Sequence, residues 1–152
     1  MRKNKILSQK EVFEISFKLR KEGKVVGLTH GAFDMFNISH LDLLQKSKFL
    51  CDFLIVGIDT DESIFQYKEN TKPIIDENNR LKIINKLDFF GAIFMKNSYF
   101  IPSEHTQELY YEIRPNFITI GNNFFKEDKI VHDAKTVSTN LLKLNVIRDL
   151  NI

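Results

Sequence analysis

Residues 29–40 read Thr29-His30-Gly31-Ala32-Phe33-Asp34-Met35-Phe36-Asn37-Ile38-Ser39-His40, which sets a glycine, a carboxylate and two imidazoles close together. An apolar run, Lys24 to Thr29, leads into them, and Leu41, Leu43, Leu44 and Leu50 follow at helical spacing. A turn between a strand and a helix suits an anion. Glycine lets the backbone approach closely, and the first helical turn offers unpaired amides and the positive end of the helix dipole. His40 falls in that first turn, so the chemistry expected here is charge neutralisation on a phosphate. The same residues also fit a plain strand-to-helix turn that ends in a histidine.

The elements around this turn must hold it in place. Ser8 and Glu11 form a capping-box pattern ahead of a helix from about Gln9 to Glu22, with Gly23 to stop it. Lys24–Thr29 and Phe53–Ile58 are short, β-branched runs of the kind buried on both faces of a parallel sheet. His40–Leu50 reads as the helix between them. Further helices are expected near Asp61–Tyr67, Asn78–Leu87 and Ser103–Ile113, and further strands at Gly91–Met95 and Phe117–Ile120. Ser138 is placed to cap a C-terminal helix through Leu150, with Leu141, Leu142, Leu144 and Ile147 as its apolar residues. Strands alternating with helices predict an α/β fold, a Rossmann-like doubly wound parallel sheet of about five strands with helices on both faces. Ligands in that architecture bind beyond the carboxyl ends of the strands.

Composition narrows the function classes. With 152 residues, 43% hydrophobic and 28% charged, the chain fits one globular domain over 1–152 and not a disordered or collagenous segment. The 22 basic and 20 acidic residues leave a net charge of only +2, and no basic block is present, which argues against nucleic acid or a membrane surface as partner. Cys51 alone forms no intramolecular disulfide and no metal-cluster spacing, so a cytoplasmic setting and no protein-held metal are expected. No uncharged run approaches the length of a membrane span, and the basic N-terminus lacks the apolar stretch of a signal peptide. Asn37-Ile38-Ser39 also spells a glycosylation sequon, which a cytoplasmic protein leaves unused.

Gly31, Phe33, Asp34 and His40 resemble the G-x-F-D and H-x-G-H signature of the cytidylyltransferase-like nucleotidyltransferase superfamily, with Asn37 at the first histidine and Ser39 at the glycine. Lys48 matches a lysine that reaches the phosphates from the following helix, and Asp61 the acid after the second strand. Lys68 to Arg80 is similar to the heptose-phosphate adenylyltransferase branch, with Lys68, Pro73 and Arg80 in register. Glycerol-3-phosphate cytidylyltransferases are stand-alone relatives of comparable size. Gly121-Asn122-Asn123-Phe124 resembles the G-G-D-Y segment, and Val137-Ser138-Thr139-Asn140 the closing I-S-T-T motif that caps the last helix. Asp133 stands where the family has an arginine, and Ile120 where it has a lysine.

The resemblance implies transfer of a nucleoside monophosphate from ATP or CTP to a phosphorylated small molecule, a sugar or polyol phosphate, with release of pyrophosphate. It implies that Thr29, Gly31, Ala32, Phe33, Asp34, Gly121, Asn123, Ser138 and Thr139 hold the nucleotide, that His40, Lys48 and Asn37 act on its phosphates with Mg²⁺ as cofactor, and that Lys68 and Arg80 face the acceptor phosphate or pyrophosphate. A homodimer is implied in the same way. His30 is a candidate replacement for the imidazole missing at Asn37, whereas His105 and His132 match nothing and Cys51 is read as inert packing. The alternative is a family member that has lost turnover and binds a nucleotide or a protein partner.

Overall fold

The computed structural model describes residues 5–96, 102–122, 127–136 and 139–147, with the side chains of 102–107, 127–130 and 136 excepted. Eleven elements follow one another as α1 (Gln9–Lys21), β1 (Val26–Gly31), α2 (Ile38–Phe49), β2 (Phe53–Asp59), α3 (Asp61–Tyr67), α4 (Glu77–Asn85), β3 (Ala92–Lys96), α5 (Pro102–Ile113), β4 (Phe117–Gly121), α6 (Glu127–Thr136) and β5 (Leu141–Leu144). The five strands form one parallel sheet in the order β3-β2-β1-β4-β5. The expected fold class is therefore the observed one.

Local chemistry explains most boundaries. Ser8 Oγ accepts from the Glu11 N–H and Glu11 Oε1 from the Ser8 N–H, closing the capping box at α1. Gly23 then turns the chain with φ +81, a conformation that favours glycine. β1 and β4 are buried along their whole length, because α1, α5 and α6 cover one face of the sheet and α2 and α4 the other. Chain direction across the sheet reverses between β1 and β4, which opens the crevice that doubly wound folds use for ligands.

The C-terminal region departs from expectation. Residues 141–144 form edge strand β5 and not the expected helix, and an unexpected helix, α6, precedes it. Leu141 packs toward α1 and α5, while Leu144 and Val146 pack toward α2, an alternation of period two. At an edge that alternation is easily hidden, since Leu142 and Lys143 stay exposed and Leu141, Leu142 and Leu144 fit helical spacing equally well.

Candidate active site

At the end of β1 the chain passes through Gly31 into a turn that contains two non-glycine residues in the left-handed region, Phe33 at φ 51 and Met35 at φ 47. Each such residue costs on the order of 1–3 kcal/mol and persists only where its surroundings over-determine it. Asp34 supplies that restraint. Its Oδ1 accepts from the Met35 and Ile75 amides at 3.0 and 2.9 Å, and its Oδ2 from the Ile74 amide at 2.7 Å. The carboxylate expected to touch nucleotide is thus a brace that ties the turn to the chain ahead of α4.

Arg80 braces the same turn from below. Its guanidinium is buried and donates from Nε to Ile75 O at 2.9 Å, from Nη1 to Ala32 O at 2.7 Å and Asp59 O at 2.8 Å, and from Nη2 to Asp61 Oδ1 at 2.7 Å. A planar fork is what lets one side chain hold the ends of β1 and β2 and the start of α4 together. Four of the five Arg80 donors thus go to the frame of the turn, where the resemblance implied an acceptor phosphate or pyrophosphate.

The helix that follows opens on Asn37. Its Oδ1 accepts from the Ser39 and His40 amides at 3.0 and 3.3 Å, and its own N–H donates to His40 Nδ1 at 3.3 Å. Asn37 Nδ2 donates to Met35 O. Asparagine is among the strongest N-cap residues, so the substitution at the motif's first histidine makes a helix cap of a position expected to act on phosphate. The His40 ring is set edge-on to Phe33 with centroids 5.4 Å apart, and lies 5.6 Å from Phe36. With Nδ1 accepting, the proton of the neutral imidazole sits on Nε2. Ser39 Oγ donates to Ile147 O at 2.5 Å, which fastens the chain after β5 to the first turn of α2.

The remaining expected residues divide by position. Gly31 and Ala32 are in the turn itself, Gly121 ends β4 beside it in the crevice, and Lys68 closes α3 in the same layer of loops. Thr29 is fully buried and donates to Thr119 O at 3.1 Å, so its hydroxyl joins β1 to β4. Lys48 is eight residues past His40, roughly 12 Å along the helix axis, with Nζ donating to Cys51 O at 3.2 Å; α2 runs away from the site and carries this lysine with it. Thr139 lies ahead of β5, its amide on Ala134 O, at the end of the sheet opposite the turn. Thr139 is therefore not brought beside the turn, where its resemblance to the closing motif implied a nucleotide contact. Asn123 and Ser138 lie outside the described residues. His30 points to the other face of the sheet, where Nε2 meets Tyr110 Oη at 2.6 Å, so it does not replace the imidazole missing at Asn37.

A buried ionisable group that no sequence motif marks lies beside His30. Asp59 and Lys96 end β2 and β3 and are both buried, with Lys96 Nζ 3.5 Å from Asp59 Oδ1. Tyr67 Oη donates to Asp59 Oδ2 at 2.8 Å, and burial, reinforced by the Asp59 charge, pushes that phenol far above its ordinary range. Tyr110 is raised in the same direction by burial and then by the Asp133 and Asp59 charges. The available signal was an ionisable residue closing an otherwise apolar strand.

The pattern of the cytidylyltransferase-like family matches residues 28–148, which contain the whole sheet except the first two residues of β1. The chain belongs to the cytidylyltransferase-like family. Among curated relatives, the bifunctional protein HldE of Desulfatibacillum aliphaticivorans is 34% identical over 117 residues, covering 76% of this chain and 22% of its own length. HldE of Syntrophotalea carbinolica is 29% identical over 126 residues, covering 83% of this chain and 24% of its own length. The chain thus spans about a quarter of these relatives. In fold it is similar to the lipopolysaccharide core biosynthesis protein from Thermoplasma volcanium, with TM-score 0.65 and 23% identity over 83% of this chain and 98% of that one. It is also similar to pantoate-beta-alanine ligase from Francisella tularensis, with TM-score 0.71 and 17% identity over 95% and 67% of the two chains. In this member of the cytidylyltransferase-like family, the signature segment 31–40 is the turn and helix start at the sheet's switch point. No described helix is long and apolar enough to cross a membrane.

Proposed function

We propose that this chain is a nucleotidyltransferase that moves a nucleoside monophosphate from ATP or CTP to the phosphate of a small sugar or polyol phosphate. The observation that carries the reading is the strained, doubly braced turn 31–37 running into His40 at the crevice between β1 and β4. An acceptor phosphate oxygen attacks the α-phosphorus, the bond to the bridging oxygen breaks, and pyrophosphate leaves with that electron pair. The acceptor oxygen is already nucleophilic, so the protein's task is alignment and charge neutralisation. His40 performs the second through its Nε2–H, and the turn supplies backbone amides.

Among the described residues no three His, Cys, Asp or Glu side chains converge on a cation. The donors at the turn suit a magnesium–nucleotide complex, in which Mg²⁺ arrives with the substrate and offsets charge on the outer phosphates. Lys68 is assigned to the phosphate side, in the layer of loops that contains the turn.

The engagement of Asn37 as a cap favours a second reading, a member that binds nucleotide or a protein partner without turnover. Thermal unfolding with ATP or CTP plus Mg²⁺, followed by pyrophosphate release with phosphorylated acceptors, separates the two. Nucleotide at about 100 times its Kd adds about 2.7 kcal/mol, a rise of roughly 5–10 °C for a domain of this size. A shift with pyrophosphate release supports transfer, a shift without release over the acceptor panel supports the binder, and no shift removes both nucleotide readings.

A further inference from the structure

Three neighbouring strands carry an ionisable side chain at or one residue before their carboxyl ends, on one face of the sheet. Leu28, Ile55 and Phe94 pack toward α1 and α5, and the alternation of strand residues turns His30, Asp59 and Lys96 the same way. Asp59 and Lys96 are paired in register, and His30 packs its Cβ toward Gly57 of β2. All three are at most 5% exposed.

An ion pair buried beside hydrocarbon is commonly no more stable than apolar residues of the same volume, because desolvation cancels its attraction. At 3.5 Å the Asp59–Lys96 separation exceeds that of a charge-assisted hydrogen bond, and the buried Asp59 Oδ1 accepts no hydrogen bond. A buried carboxylate oxygen left in this state asks for a donor.

The group also sits against the signature turn. One guanidinium nitrogen, Arg80 Nη1, donates to Asp59 O and Ala32 O together, so the carboxylate-bearing residue and the turn share a single bridge. α2 and His40 lie on one side of the end of β1, and Asp59, Lys96 and Tyr67 on the other. That separates a phosphate side from a second side with different chemistry.

We infer that Asp59 and Lys96, held by Tyr67, are the specificity-determining residues for the acceptor and select one that carries hydroxyl groups. A hydroxyl is donor and acceptor at once, so it can donate to Asp59 Oδ1, the oxygen that accepts no hydrogen bond, while its own oxygen lies against the Lys96 ammonium, through a small side-chain shift on binding. A cationic head group could donate to the carboxylate but has no oxygen to set against Lys96 and brings a second positive charge beside that ammonium. This deepens the nucleotidyl-transfer reading and rests on it.

The test measures pyrophosphate release by the full chain with Mg²⁺ and the nucleotide that shifts its melting temperature. Glycerol 3-phosphate and glucose 1-phosphate are compared with phosphoethanolamine, which lacks a free hydroxyl. The hydroxylated acceptors are expected to be preferred by about 10-fold or more in kcat/KM, because a site that hydrogen-bonds a hydroxyl rejects analogues without one. The Asp59→Leu/Lys96→Met double variant removes the pair without stranding a charge. It should keep its fold and its nucleotide-induced shift while the KM for the hydroxylated acceptor rises about 10-fold or more. Tyr67→Phe, a milder variant that leaves the pair in place, should raise the acceptor KM and leave the nucleotide KM unchanged. Equal use of phosphoethanolamine, an unchanged acceptor KM in both variants, or a nucleotide shift with no use of hydroxylated acceptors each overturns the assignment. Absence of any nucleotide shift overturns the parent reading instead, and the acceptor assignment with it.

Discussion

Asn37 and His40 are joined by two opposed hydrogen bonds across the first turn of α2: the Asn37 N–H donates to His40 Nδ1 and the His40 N–H to Asn37 Oδ1, each at 3.3 Å. The bonds cap the helix and fix the imidazole with Nε2 as its proton carrier. A residue that departs from the family signature is thus what orients the residue that keeps it.

Asn37→Ala should lower stability by about 1 kcal/mol through loss of the cap, while Asn37→Ser, another strong N-cap, should come within a few tenths of the wild type. Urea unfolding followed by circular dichroism measures both. Equal stability of the wild type and the alanine variant would show that the cap contributes nothing.

His40→Ala should reduce nucleotidyl transfer on the order of 10²-fold or more, the usual cost of removing one donor that acts on developing charge. The ring is partly exposed, so the melting temperature should change far less than the rate. Turnover at the wild-type rate would remove His40 from the mechanism.

Arg80→Ala should destabilise the protein by at least about 3 kcal/mol, since it strips hydrogen bonds from Ala32 O, Asp59 O and Ile75 O and leaves Asp61 unpaired. Arg80→Lys should recover little, because an ammonium cannot span three carbonyls and a carboxylate in one plane. Full rescue by lysine in a denaturant titration would contradict the bracing role.

Asp42 carries an acid-dependent part of the stability. The hydrogen bond from Lys46, at 2.9 Å, and then that from the Ile147 N–H, at 2.8 Å, hold its carboxyl below the usual range. A lowered folded-state pKa means stability that is present above the unfolded value, near pH 4, and lost as pH falls through the folded one. The melting temperature of Asp42→Asn should therefore lie below that of the wild type at pH 7, with the gap closing as the pH falls from about 5 toward 3. A gap that stays constant over that range would show that the carboxylate is not the source.

Much was legible along the chain because the signals were local. Ser8 and Glu11 announce α1, the apolar runs at 24–29 and 53–58 announce buried parallel strands, and Gly31 to His40 announce the turn and the family. β5 is not legible because this edge strand half-buries only Leu141 and Leu144 and leaves Leu142 and Lys143 exposed, and a few leucines satisfy either period. Thr29, Lys48 and Arg80 carry the residue types that phosphate chemistry needs, but type does not say where a side chain is spent. Thr29 faces β4, Lys48 travels down α2 to Cys51, and Arg80 is consumed by three carbonyls and Asp61.

The sequence by itself determined the α/β alternation, the strand-to-helix turn and the family, since each is written in periodicity and spacing within a short stretch. Only the tertiary structure decided that Asn37 caps a helix, that Asp34 and Arg80 brace a strained turn, and that Asp59 meets Lys96. These contacts join residues brought together by the sheet's order and register, such as Asp34 with Ile74 and Asp59 with Lys96, and their partners are set by which strand ends lie side by side. Burial then turns a pair of ordinary charges into chemistry, because only in a dry interior does an unmet hydrogen bond carry a large cost.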